Sequence, residues 1–210
     1  MIAPLITRRP RETAMQGLLR LARLIDALNT AVGRTAMWLI LAATLISAGN
    51  ALMRYSLDLS SNAWLELQWY LFAAVFLLCA PYTLLKNEMV RIDVVAGRLS
   101  RRTQVWVDVA GTLFFLLPMA LLLMTLSWPG FVQSFVRDEV SANAGGLVVW
   151  PARLLIPVGF ALLALQGLSE LIKRLAFLVG VGPDPGAHTP EKTPEQELAT
   201  EIARRRGDLP

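Results

Sequence analysis

Few residues in this sequence of 210 could do chemistry, and their types argue against an enzyme. The single cysteine, Cys79, lies in an apolar run, and the single histidine, His188, lies in a proline-rich segment. One cysteine forms neither an intramolecular disulfide nor a paired-cysteine redox or zinc site. One histidine cannot supply both ligands of a bis-histidine haem. We therefore expect no cofactor, no metal site and no catalytic residue.

The densest mixture of charged and apolar side chains lies in residues 85–95, LKNEMVRIDVV. On a helix Glu88 and Arg91 would face each other, because they are three residues apart, whereas Arg91 and Asp93 are two apart and would not. No further acid, base or thiol nearby completes a catalytic set. Two interpretations stay open. The stretch is a solvated, positively charged loop, or it is a collar that lies along the membrane surface or against another protein.

The composition indicates a membrane protein. Apolar residues make up 55% of the chain and charged residues 17%, whereas a soluble globular domain has about 25% charged residues. A helix needs roughly 20 apolar residues to cross a membrane. We end the third of four apolar runs at Trp128, because Pro129 and Gly130 follow it. The four spans of this all-α integral membrane protein are predicted at about 35–53, 67–85, 107–128 and 148–172.

Basic residues predict the orientation of the four spans. Eleven lysines and arginines precede the first span or lie between the second and third, whereas three lie in the other two loops. Such an excess marks cytoplasmic segments. Both termini and the middle loop are therefore expected in the cytoplasm. Tryptophans near the ends of the predicted spans are typical of membrane interfaces.

The chain is predicted to have three parts: a cytoplasmic leader (1–34), a four-span membrane domain (35–180) and a cytoplasmic tail (181–210). Residues 14–30 predict an amphipathic helix, because apolar side chains recur at helical spacing and arginines occupy another face. This helix lies on the inner membrane surface or extends the first span into the cytosol. Residues 181–194 hold four prolines, so the tail is expected to be mostly disordered.

Several residues in and beside the spans are candidates for contacts with a partner. Ala43, Ser47 and Ala51 form a stripe of small residues that permits close approach of a helix, within the bundle or from outside it. Glu66 begins the second span, where it stabilises the helix N-terminus or contacts a partner. Trp69 belongs to an aromatic face that suits a core, a lipid-facing surface or an interface.

Three stretches resemble the small membrane subunit of tripartite ATP-independent periplasmic (TRAP) transporters, the DctQ-like family. Residues 62–70, NAWLELQWY, are similar to the family's Trp-x-Glu at the start of the second span. Residues 90–93, VRID, resemble its His-Val-Arg-[Val/Ile]-Asp motif, with Met89 where the histidine usually stands. Residues 139–147, EVSANAGGL, resemble the outer loop before the last span. Together the resemblance covers about residues 30–180.

The resemblance implies that this chain lies in a bacterial inner membrane and is not a transporter by itself. In the family, a large permease with many spans carries the substrate and sodium sites, and a soluble periplasmic protein captures the substrate, often an organic acid. The small subunit braces the fixed part of the permease and helps the binding protein to dock. The contact candidates are then Trp64, Glu66, Trp69, Arg91, Asp93, Asn143 and Gly146, with Ala43, Ser47 and Ala51 as the small-residue stripe.

Two rival functions follow from the residues. A stand-alone, proton-coupled transporter needs an acid deep within a span, but Glu66, Asp108 and Glu170 lie at predicted span edges, and the sequence gives no evident buried ion pair. A membrane redox enzyme needs paired cysteines or haem ligands, and one cysteine with one histidine provides neither. A structural subunit of another membrane complex is not separated from the DctQ-like function by these arguments.

Overall fold

A computed structural model describes residues 10–58, 61–87 and 99–183, with side chains from residue 15 onward. Four segments in it are long and apolar enough to cross a membrane, which confirms the predicted number of spans. The helices are α1 (Pro10–Leu57), α2 (Asn62–Lys86), α3 (Arg101–Gly111), α4 (Leu117–Val136) and α5 (Trp150–Leu178). A π-helical turn, Thr112–Leu116, joins α3 to α4, so that these two helices form the third span.

Helix α1 runs without a break through residues 14–30 and the first predicted span. This corresponds to the extension that the sequence left open, and a separate amphipathic helix is not present. The buried side chains of Ala22, Ile25 and Asn29 lie on one face of α1. Ser169 of α5 donates a hydrogen bond to the Ala22 carbonyl. The face of residues 14–30 that carries Ala22, Ile25 and Asn29 is therefore used for packing within the bundle.

Helix α4 continues beyond the predicted end of the third span, through Trp128, Pro129 and Gly130 to Val136. Membrane helices tolerate an internal proline better than soluble helices do, because neighbouring helices pack against them. The carbonyl of Gly130 accepts a hydrogen bond from Arg153 Nη1 of α5 at 3.3 Å. Packing on α5 thus outweighs the local preference of proline and glycine for a helix end, and the end of the span at Trp128 stays a prediction.

The π-helical turn lies directly before Pro118. A proline ring clashes with the carbonyl four residues earlier in a regular α-helix. The widened turn closes with the N–H of Leu117 donating to the carbonyl of Thr112, five residues earlier. The sequence of the third span thus accommodates Pro118 by a local change of helix pitch.

Helix α5 lies at the centre of the bundle and packs against α1, α2 and α4, while α1 and α2 pack against each other. Glycines lie where two helices of the bundle approach each other most closely. A Cβ atom added at Gly159 of α5 would lie 2.7 Å from Leu77 Cβ of α2, and one added at Gly33 of α1 would lie 2.6 Å from Tyr82 Cβ. Small residues at such crossings let membrane helices approach closely.

Candidate functional site: a carboxylate that anchors a loop

The carboxylate of Glu66 joins the start of α2 to the loop between α4 and α5. Glu66 is 6% exposed. Its Oε1 accepts hydrogen bonds from the Ser141 hydroxyl and from Asn143 Nδ2, the latter at 2.6 Å. Its Oε2 accepts from the backbone N–H of Leu147 at 2.7 Å. One side chain therefore binds three points of a segment that lies about 75 to 81 residues later in the chain.

The loop that Glu66 binds, residues 137–149, also has internal hydrogen bonds. Val140 and Val148 form an isolated antiparallel bridge, and the N–H of Ser141 donates to the Leu147 carbonyl at 2.9 Å. Gly145 has a φ of 71°, a backbone conformation that favours glycine. The loop is therefore a folded turn, and we call it the anchored loop.

An ion pair and an amide fasten the anchored loop to its neighbours. Arg153 of α5 donates to Glu139 at 2.7 Å, and both side chains are 36% exposed. Asn62 Nδ2, at the start of α2, donates to the Ala144 carbonyl at 3.3 Å. The anchored loop is thus held by α2 and α5, and we call this side of the bundle the Glu66 end.

A second polar cluster lies at the opposite end, where α1 meets α5. Asp26 Oδ1 accepts from Ser169 Oγ at 2.7 Å and from Gln166 Nε2 at 3.0 Å. Lys173 Nζ lies 3.2 Å from Asp26 Oδ2. Asn29 Nδ2 donates to Gln166 Oε1 at 2.7 Å, and both side chains are almost fully buried. These contacts tie the first part of α1 to the last part of α5.

Two further charges complete this cluster. Glu170 Oε2 accepts from Arg174 Nη1 at 2.7 Å, with side-chain exposures of 7% and 8%. Glu170 also pairs with Lys173, and Arg174 Nε lies 3.4 Å from Asp108 Oδ2 of α3. The sequence-based statement that there is no evident buried ion pair was therefore wrong. The i,i+4 spacing of Glu170 and Arg174 was the signal that sequence reasoning missed.

The comparison with protein families identifies the chain. The family described as "Tripartite ATP-independent periplasmic transporters, DctQ component" matches residues 43–177. The chain belongs to this family. This confirms the resemblance and makes the protein a membrane subunit of a tripartite transporter. Comparison with curated proteins and with solved structures found no match.

Two of the three stretches that resemble the DctQ component lie in contact. Glu66 in residues 62–70 binds Asn143 in residues 139–147. Gly146 supports the same loop, because a Cβ atom added there would lie 2.6 Å from Ser141 Cβ. Glu66 was expected to stabilise the N-terminus of α2 or to contact a partner. Its hydrogen bonds within this chain go to the anchored loop, and a contact with a partner stays a prediction.

Other candidate residues of this DctQ component lie apart from the anchored loop contacts. Trp64 is 49% exposed and Trp69 is 71% exposed, so both side chains lie largely on the surface. Of the small-residue stripe, Ala43 is fully buried, while Ser47 and Ala51 are exposed. The stripe is therefore not a continuous contact within the bundle.

The predicted collar lies outside the described residues, since these omit residues 88–98 with Arg91 and Asp93. Its role therefore stays a prediction. The predicted tail from residue 184 onward, which includes His188, also lies outside them. Within the described residues, no group of three or more histidine, cysteine, aspartate and glutamate side chains is placed to hold a metal ion.

Proposed function

We propose that this DctQ component braces a large permease and presents the anchored loop as a docking platform for a periplasmic binding protein. The transporter would import organic acids, driven by sodium. The family supports a membrane subunit of a tripartite transporter. The binding of Glu66 to the anchored loop is the observation that carries the platform. The distribution of basic residues in the sequence supports a periplasmic position for the Glu66 end.

A loop with a fixed shape suits docking. Ordering a flexible loop on association costs free energy, and that cost weakens binding. In the anchored loop, a buried carboxylate, a β-bridge and an ion pair fix the backbone within the subunit itself. Val140 and Val148 remain 57% and 41% exposed, beside the exposed charges of Arg137 and Asp138. Apolar contacts within a charged rim are typical of protein interfaces.

The bracing part of the proposal rests on the membrane-facing surface. Large apolar side chains are exposed along α1 and α4, among them Trp38 at 72%, Leu45 at 62% and Leu126 at 68%. Such surfaces face lipid or the helices of another membrane protein. The central α5, tied at both of its ends by polar contacts, gives the bundle the rigidity that a brace requires.

A stand-alone proton-coupled transporter has less support. The acidic side chain that carries the proton in such a transporter must be free to exchange it along the transport pathway. The Glu66 carboxylate accepts from three donors, and Glu170 pairs with two cations. Both acids are thus occupied in holding helices and loops together.

The platform is tested with Glu66→Gln in the assembled membrane complex. A glutamine presents its NH₂ group to one of three hydrogen-bond donors, so at least one hydrogen bond to the anchored loop is lost. We expect the affinity for the periplasmic binding protein to fall several-fold, measured by surface plasmon resonance. Co-purification of the large permease should be unchanged, because the anchored loop lies outside the spans.

Asp58→Asn is the matched control. Asp58 follows α1 near the same end, is exposed, and makes no hydrogen bond or ion pair with another described residue. Its positive φ of 53° is a conformation that asparagine adopts readily. The control removes the same charge without touching the anchored loop, so docking should be retained. Wild-type docking affinity in Glu66→Gln would contradict the platform.

A further inference from the structure

The π-helical turn of the third span has more backbone carbonyls than amide donors. The N–H of Leu117 donates to the Thr112 carbonyl. Leu116 is the N-cap residue of α4, so its carbonyl accepts the first hydrogen bond of that helix. Three carbonyls lie between these two acceptors, those of Leu113, Phe114 and Phe115. The N–H groups at the right spacing belong to residues 118 and 119, and Pro118 has none. Two of the three carbonyls therefore lack a backbone donor.

Side chains of the described residues do not supply the missing donors. The hydroxyl of Thr112, within the turn, donates to the Asp108 carbonyl at 2.8 Å. On α5, Gln166 and Arg174 donate to carboxylates of the polar cluster that ties α5 to α1 and α3. The two carbonyls are thus left for a donor from outside the described part of the chain.

The gap in the hydrogen bonds lies on the side of the turn that faces away from α5. A helical carbonyl points toward the residue about one turn later, here toward Pro118, which is exposed. The side chains of Phe114 and Phe115 are 70% and 77% exposed. Helix α5 covers the other side, because a Cβ atom added at Gly167 would lie 2.5 Å from Leu116 Cδ2. The donor must therefore approach from outside the bundle.

Lipid chains cannot supply this donor. The turn lies inside the third span, where the hydrocarbon layer offers no hydrogen-bond donor. Irregular backbone at that depth is tolerated where it is buried in protein or lines a water-filled cavity. An open cavity of about 910 Å³ lies beside the turn, and twelve of its fifteen lining residues are apolar. Buried water needs several polar partners, so the apolar walls favour protein as the occupant.

We propose that a helix of the large permease packs on the π-turn surface and donates side-chain hydrogen bonds to the unpaired carbonyls. The π-turn surface is formed by Phe114, Phe115, Pro118 and Met119, which all line the cavity. Serine, threonine, asparagine and glutamine side chains form such bonds between membrane helices. This inference rests on the proposed function, because it assigns the bracing contact to one face of the third span.

Photo-cross-linking in the assembled membrane complex tests the position of the contact. The photoreactive residue p-benzoylphenylalanine replaces Phe115 in one variant and Phe76 of α2 in the matched control. The two side chains are 77% and 76% exposed. The permease adduct should form in clear excess from position 115. Equal yields from both positions would overturn the proposal, as would cross-links from position 115 that reach only lipid or this chain itself.

A second arm tests the unpaired carbonyls. Pro118→Ala restores one amide N–H to the turn, so one carbonyl no longer needs a donor from the permease. The affinity of the purified chain for the permease should fall about three- to tenfold, the order expected for one hydrogen bond between membrane helices. Microscale thermophoresis in detergent measures it. Pro129→Ala is the matched control, because Pro129 is exposed in the same span and lies outside the π turn.

The control should keep wild-type affinity, and unchanged affinity in Pro118→Ala would overturn the proposal. The two proposals also fail separately. If the wild-type chain and the permease do not co-purify, the bracing function is wrong. If they co-purify and position 115 gives no permease adduct, the bracing function stands and the π-turn surface is not the contact.

Discussion

The buried pair of Glu170 and Arg174 should contribute far more to stability than the half-exposed pair of Glu139 and Arg153. The two pairs have the same N–O distance, 2.7 Å, but side-chain exposures of 7% and 8% against 36% and 36%. Removing one partner of a buried pair costs about 3–5 kcal/mol when the other charge is left without compensation. Arg174 would keep Asp108 at 3.4 Å, so the cost for this pair should lie at the lower end of that range. An exposed pair contributes about 0–1 kcal/mol. Burial is the main difference between the two pairs, and Glu170 also has Lys173 as a second cation.

The expected shifts in melting temperature follow from these free energies. For a chain of this length, about 1 kcal/mol shifts the Tm by roughly 2–4 °C. Glu170→Leu should therefore lower the Tm by roughly 6–20 °C, and Glu139→Leu by at most about 4 °C. Thermal unfolding in detergent, followed by circular dichroism, measures both shifts.

A double variant tests the cause of the larger shift. Glu170→Leu with Arg174→Leu removes both buried charges, so it should be less destabilised than Glu170→Leu alone. Lys173 keeps Asp26 as a partner in that variant, at 3.2 Å. Equal shifts for Glu170→Leu and Glu139→Leu, or a double-variant shift equal to the sum of the single shifts, would refute the reasoning.

Two further predictions concern topology and the collar. Reporter fusions at Asn143 should read as periplasmic and fusions at Arg98 and His188 as cytoplasmic, because basic residues are concentrated in the segments expected inside; a cytoplasmic signal at Asn143 would break the four-span arrangement. Arg91→Glu should lower the co-purification yield of the large permease more than Arg102→Glu does. Arg91 lies among apolar residues in the sequence and Arg102 follows another arginine, and reversing a partly desolvated charge costs more than reversing a charge at a rim. Equal yields for the two variants would exclude the collar.

The spans could be predicted from the sequence because they depend on local composition. Each predicted run is long and apolar, and three of the four lie wholly within the observed helices. The fourth begins at residue 148, just before Trp150. Helix ends were less certain. Pro129 favours a stop locally, yet tertiary packing on α5 carries α4 on to Val136.

The contacts of the site could not be predicted, because they join distant parts of the chain. Nothing in residues 62–70 indicates that Glu66 accepts hydrogen bonds from Ser141 and from the backbone of Leu147. The resemblance drew attention to both stretches, and the fold brings them together. The Glu170–Arg174 pair differs, since a spacing of four residues in a helix is readable in the sequence.

Uptake by proteoliposomes tests the central claim most directly, namely that this chain acts only as one subunit of a tripartite transporter. Purified chain alone should give no sodium-driven uptake of labelled organic acids. Uptake should appear only when the large permease and the periplasmic binding protein are both supplied. Saturable uptake by this chain alone, abolished by Glu66→Gln, would contradict the account and favour a stand-alone carrier.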